Sequence, residues 1–285
     1  MIDNNAIPSF NEVRLLSINL FMRPPLIRNN ASDYKEARLE YFIENILSIY
    51  DIICLEEMFE FGSTRRQRLL EAAFKAGFEH SWTSPRNSLF NFSIDGGLVI
   101  LSRFPIRSRD RITYPYGTHS DRLSAKGALY VKIELAKDQF IHLFSTHTQA
   151  SYVASPPLSD KSVLVREQQI FLLRQFIDKA IVSRRSSHEP IILVGDLNVN
   201  SRPLLDPSDP SSVKGDSQEY LNMVKILSGE GIREDSHVRY SNEKMIGVRD
   251  VIKEHYGIHP ITFADVLKDN DGKMIPREVI LTSKG

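Results

Sequence analysis

The sequence predicts a single α/β domain. Strand-like and helix-like runs alternate along the chain, 41% of its 285 residues are hydrophobic, and no linker separates two cores. That length is ample for one sizeable core. No internal repeat or low-complexity tract interrupts the alternation.

"VRLLSINLF" (13–21) reads as the first strand. "YKEARLEYFIENILSI" (34–49) has apolar residues at helical spacing, with Ser32 and Asp33 as caps. "DIICLEEMF" (51–59) returns to strand, and "RQRLLEAAFKAGF" (66–78) is a helix closing near Gly77. "GGLVILS" (96–102), "ALYVKIEL" (128–135) and "FIHLFSTHT" (140–148) are rich in β-branched and aromatic residues and read as strands. "VREQQIFLLRQFIDKAIV" (165–182) is the clearest amphipathic helix, and the strand "PIILVGDLNV" follows it. Residues 201–218 are dense in Pro, Ser, Asp and Gly and read as loop, and "EYLNMVKIL" (219–227) is a short helix. The remainder is a polar, weakly patterned tail.

Thirty-six basic residues balance 36 acidic ones, so the composition lacks the basic excess that draws a domain non-specifically onto nucleic acid. The single cysteine, Cys54, excludes an intramolecular disulfide and reads as a buried thiol in a reducing compartment. The N-terminal residues do not resemble a signal peptide, and no run reaches the roughly 18 apolar residues of a membrane span. A cytoplasmic protein, at most peripheral to a membrane, is the expectation.

Four strand ends carry polar residues that packing does not require: Asn19 after "LLSI", Glu56 and Glu57 after "IICL", His147 after "FST", and Asp196 with Asn198 after "IILVG". Singly, each has an ordinary reading. Asn19 can close a turn, one of two adjacent glutamates must face away from the other, and Asp-x-Asn can form an Asx turn. Together, their carboxylate and amide oxygens are hard ligands suited to Mg²⁺, which takes one or two carboxylates and keeps its waters. A closed zinc site would need Cys and His at short spacings that are absent.

The ordered set "SINLF", "LEEMF", "GGLVILSRFPI", "STHTQA" and "VGDLNVN" resembles the endonuclease/exonuclease/phosphatase superfamily, and within it the neutral sphingomyelinases of phospholipase C type. The resemblance covers roughly residues 13–265. It implies a four-layer α/β/β/α sandwich, two mainly antiparallel sheets flanked by helices as in deoxyribonucleases. It implies Mg²⁺, or Mn²⁺ in its place, held by Glu57 and Asn19, with Glu56 where relatives often have Gln. Asn19, His147 and Asn198 match phosphate-contacting residues. His147, Asp196 and Asn198 match catalytic ones, His147 at the leaving group and the other two around the attacking water.

One expected piece is absent. The general base of this superfamily is the histidine of a Ser-Asp-His string after a Leu-Asp-Tyr strand, and neither string occurs here. The expectation is a domain over 1–285 that lacks the final strands of the family, leaving a sheet edge for a partner chain to cover. His237, His255 and His259 are the remaining histidines near the end, and His259 in "HPITFAD" reads as positional.

The implied activity is hydrolysis of sphingomyelin or a related choline phospholipid to phosphocholine. A non-catalytic binding or scaffold domain is the alternative, and a nuclease or inositol-phosphate phosphatase a lesser one. Phe90 and Phe92 are candidates for entering a lipid surface or for the core, Arg23 for a phosphate contact or for solvent. The basic cluster "STRRQR" (63–68) reads as the solvated start of a helix.

Overall fold

The computed structural model describes residues 12–25, 34–85, 94–115, 117–151, 156–182, 186, 188–202, 215–229, 247–260, 262, 266–268 and 274–276. The chain groups into two compact units. One comprises 1–27, 34–150 and 172–198, the other 28–33, 151–171 and 199–285.

The first unit holds two four-stranded sheets. Strands β1 (Leu15–Met22), β2 (Ile52–Met58), β3 (His80–Thr83) and β4 (Val99–Ser102) form one sheet in the order β1-β2-β4-β3. Strands β5 (Ile106–Thr113), β6 (Gly127–Ala136), β7 (Gln139–His147) and β8 (Ile191–Asp196) form the other in sequence order. β1 runs parallel to β2 and β7 parallel to β8; the other neighbours are antiparallel.

Strand alternation explains the layers. Ile52, Cys54 and Ile100 meet Leu129, Val131, Ile133, Ile141 and Leu143 in an apolar seam joining the two sheets. The opposite parity of the first sheet, Ile53, Leu55, Val99 and Leu101, packs against Leu39 of α1 (Lys35–Tyr41) and Leu69 and Ala73 of α2 (Arg65–Lys75). On the second sheet Tyr130 stacks on Phe144, and Phe144 meets Phe176 of α3 (Lys161–Val182) edge-on at 5.7 Å. Two mixed sheets flanked by helices are the predicted sandwich.

Several local readings are corrected. The long first helix is α-helical only to Tyr41 and continues as a π-turn at Phe42–Ile46 and a 3₁₀ turn at Leu47–Ile49. Its expected caps, Ser32 and Asp33, lie outside the described residues, as do Phe90, Phe92 and His237. β3 and β5 were not expected. Arg65 and Arg66 are buried at 8% and 4% exposure rather than solvated, because each finds a carboxylate: Arg65 pairs with Glu36, Arg66 with Asp95 and Glu60.

The second unit contains α4 (Gln218–Leu227), α5 (Val251–Tyr256) and the hairpin β9 (Val266–Lys268) with β10 (Met274–Pro276), strands that the weakly patterned tail did not announce. Arg166 is buried against Glu219, its Nε donating to Glu219 Oε1 at 2.7 Å. His259 is buried too, with Nε2 2.9 Å from Asp216 Oδ1 and its ring edge-on to Tyr220.

Candidate active site

Strand register brings the four polar strand ends together. Asn19 lies opposite Glu56 across β1 and β2, and His147 lies opposite Asp196 across β7 and β8. Asn19 then joins the sheets: its Nδ2 donates to Asp196 Oδ2 at 3.0 Å and to Glu57 Oε1 at 3.2 Å, while its Oδ1 accepts the Phe21 N–H at 2.9 Å.

Local backbone geometry turns these residues inward. The β1–β2 register shifts between Asn19 and Met22, and Phe21 and Glu57 at this irregularity have φ of 51° and 54°. Asn198 has φ 51°. Left-handed conformations at non-glycine residues cost on the order of 1–3 kcal/mol each and persist where surrounding bonds fix them. Here the bonds are visible: Asn198 N donates to Asp196 Oδ1 and Asn198 Nδ2 to Thr148 O, both at 3.0 Å.

Gly195 explains why the strand runs out through Gly-Asp. Its φ is 126°, and a Cβ would stand 2.0 Å from the Thr146 carbonyl oxygen. The backbone of β8 can therefore press against β7 and bring Asp196 beside His147.

Electrostatics separate His147, Asp196 and Glu56. Burial and the positive charge of Lys126 push His147 down to about 4, so its imidazole is neutral at pH 7. Burial alone would raise Asp196, but His147, the Asn19 amide and the Asn198 N–H together hold it below its ordinary value, as an anion. Glu56 lies on the inner face and goes the other way: burial first, then the Asp196 charge, raise it well above the carboxylate range. The Ser17 hydroxyl lies 3.3 Å from Glu56 Oε1, and Glu57 is the glutamate that joins the cluster.

Sequence reasoning missed Lys126. Its Nζ, on a residue 5% exposed, lies 3.1 Å from His147 Nε2 and 2.8 Å from Asp121 Oδ2, and donates to Thr148 O at 2.7 Å. An ammonium facing Nε2 makes that nitrogen the acceptor, which places the ring proton on Nδ1, a buried atom without a partner among the described residues. Nothing local in "SAKGALY" signals this; only the pairing of β6 with β7 does.

Arg23 is placed on Glu57, its Nε donating to Oε2 at 2.7 Å. His255 is exposed on α5 and belongs, like His259, to the second unit, not to this cluster.

A family model described as "Endonuclease/Exonuclease/phosphatase family" matches residues 16–206. The chain belongs to that family. Asn19, Glu57, His147, Asp196 and Asn198 all fall within the matched residues. Its relatives include a sphingomyelinase of Dictyostelium discoideum, 36% identical over 286 residues, covering 90% of this chain and 58% of that protein. Sphingomyelinase C of Listeria ivanovii is 31% identical over 151 residues, 53% of this chain and 39% of its own length. The chain therefore spans between two fifths and three fifths of the length of these two relatives.

Among solved structures, the family fold is shared with SmcL at TM-score 0.59 and 24% identity, covering 79% of this chain and 72% of that one. A variant of Staphylococcus aureus beta toxin with bound magnesium ions matches at TM-score 0.58 and 24% identity, covering 77% and 71% of the two chains.

Proposed function

We propose that this chain is a divalent-metal-dependent phosphodiesterase that hydrolyses sphingomyelin or a related choline phospholipid at a membrane surface. The observation that carries the reading is the Asn19 amide joining Glu57 of one sheet to Asp196 of the other, with His147 3.8 Å from the same Asp196 oxygen. The sphingomyelinase names of the relatives and the magnesium of the related beta toxin support the substrate class and the cofactor.

The donor set fits a hard cation of modest demands. Among the described residues no three His, Cys, Asp or Glu side chains gather as a closed metal cage. Glu57, 9% exposed at its side chain, already faces a guanidinium, so the position accepts positive charge. Glu57, with Asn19 beside it, would hold Mg²⁺ or Mn²⁺, completed by water and the substrate phosphate. The ion supplies positive charge against the phosphoryl oxygens as the transition state forms.

The remaining work falls to side chains. Asp196 orients the attacking water by accepting its hydrogen bond, and it is the ionised carboxylate beside His147 that can receive its proton. The water oxygen bonds to phosphorus as the bond to the ceramide oxygen breaks. The proton that oxygen needs comes from the Lys126–His147 pair, and the remaining N–H of Asn198 can donate to developing negative charge.

Phosphocholine release from sphingomyelin in mixed micelles with Mg²⁺ tests the reading. Glu57→Ala and Asp196→Ala are expected to lower it by about 10²–10⁴-fold. A second reading is a binding domain without turnover. Release no greater from wild type than from the two variants, with sphingomyelin liposomes still bound, would select it. Cleavage of plasmid DNA in place of lipid would select a nuclease.

A further inference from the structure

The backbone around Arg23 is firmly held. The carbonyls of its loop are taken one after another by cationic side chains: Arg38 Nη1 donates to Leu20 O at 3.1 Å and Phe21 O at 3.4 Å, Arg65 Nη2 to Arg23 O at 3.0 Å, and Lys35 Nζ to Pro24 O at 3.2 Å. Lys35 and Arg65 are 5% and 8% exposed. Pro24 and Pro25 stiffen the chain beyond. The guanidinium carbon of Arg23 lies 5.6 Å from the centre of the Phe21 ring, and Phe21 occupies one of the left-handed positions of the site. The backbone is thus pinned where Nε reaches Glu57.

Both oxygens of Glu57 are engaged, Oε1 by the Asn19 amide and Oε2 by Arg23. A cation entering at Glu57 meets a guanidinium charge already held there. Asn19 is tied down through Phe21 N–H and Asp196, whereas the Arg23 side chain is 34% exposed, so of the two donors it is the one that borders solvent. A carboxylate this buried is costly without a counter-charge.

We infer that Arg23 is an internal counter-ion that competes with the divalent cation for Glu57 and sets the concentration at which the cation binds. The inference rests on the metal-binding reading of Glu57 proposed above and adds a regulator to it. Without the ion, Arg23 keeps the site neutral. With the ion, the guanidinium is released, and the exchange weakens apparent affinity.

Binding of Mg²⁺ to the full chain without substrate, by calorimetry and by thermal unfolding, tests it. Arg23→Gln is expected to lower the half-saturating Mg²⁺ concentration roughly tenfold, equivalent to about 1.4 kcal/mol. The variant should melt lower than wild type in chelator and gain more from saturating Mg²⁺. Arg23→Lys keeps a charge but loses the Nε–H contact, so its affinity should fall between the two, and it serves if the glutamine variant does not fold. Mg²⁺ binding in either variant equal to or weaker than wild type overturns the inference, provided Glu57→Gln abolishes wild-type binding. Binding that Glu57→Gln leaves intact, or no binding at all, overturns the metal reading and the inference with it.

Discussion

Strand β7 carries two buried histidines, and they behave as opposites. His142 near its start and His147 at its end both lie beside β8, opposite Ile191 and Asp196. The five-residue spacing puts them on opposite faces of the sheet. His142 is satisfied: Nε2 lies 2.7 Å from Glu189 Oε2, Nδ1 lies 2.9 Å from the Tyr130 hydroxyl, and Lys132 bonds both Glu189 oxygens at 2.9 and 3.0 Å. His147 has an ammonium against one nitrogen and, among the described residues, no hydrogen-bond partner on the other. A closed network fixes strands; an incomplete one keeps a proton position for something that is not part of the chain.

The largest effect expected from this contrast is catalytic. His147→Gln should lower phosphocholine release by about 10²–10⁴-fold, while chemical denaturation changes by less than about 1 kcal/mol. His142→Phe should do the reverse. It removes both ring hydrogen bonds, the one to Glu189 and the one with the Tyr130 hydroxyl, a loss of about 2–4 kcal/mol, with activity per folded molecule unchanged. Urea midpoints and turnover measured on the same preparations decide it, and a matched loss of both properties in both variants breaks the distinction.

Glu189 sharpens the same comparison through pH. Burial would raise it, but the bonds from His142 and Lys132 prevail and hold it at about 2. A carboxylate of depressed pKa binds fewer protons folded than unfolded. Its contribution is therefore complete above the unfolded value near 4.3 and is lost as pH falls towards 2. Wild type should lose stability across that window, and Glu189→Gln, less stable at pH 7, should lose less. Parallel wild-type and variant curves from pH 5 to pH 2 would remove the network from the account of acid unfolding.

The sequence distinguished these histidines only by their neighbours. His147 stood at a strand end followed by "TQA", whereas His142 sat inside an apolar run and drew no attention. All four polar strand ends were legible because polar residues closed apolar runs. Their convergence was not, because it depends on register and on the left-handed turns at Phe21, Glu57 and Asn198. β5 was missed because its period-2 signal is written in arginine: Arg107, Arg109 and Arg111 alternate outward, two of them over Trp82 at 4.7 and 5.0 Å. The charge run at Arg65 and Arg66 was misread since two of its carboxylates, Glu36 and Asp95, lie 29 residues away in sequence.

The smallest expected effect concerns Glu56, the buried acid between the sheets. Its folded pKa is raised, by burial and then by Asp196, so the folded state binds the proton more tightly than the unfolded one. Stability linked to this group is complete below the unfolded value near 4.3 and declines as pH rises through the folded value. Glu56→Gln keeps the shape, cannot ionise and can still face the Ser17 hydroxyl. In chelator, wild type and variant should unfold at the same temperature at pH 4. The variant should then gain on wild type as pH rises to 8, by roughly 1 kcal/mol. A variant that is less stable at every pH would mean that Glu56 is ionised in the folded chain, and that its charge, not its shape, belongs with Glu57 and Asp196.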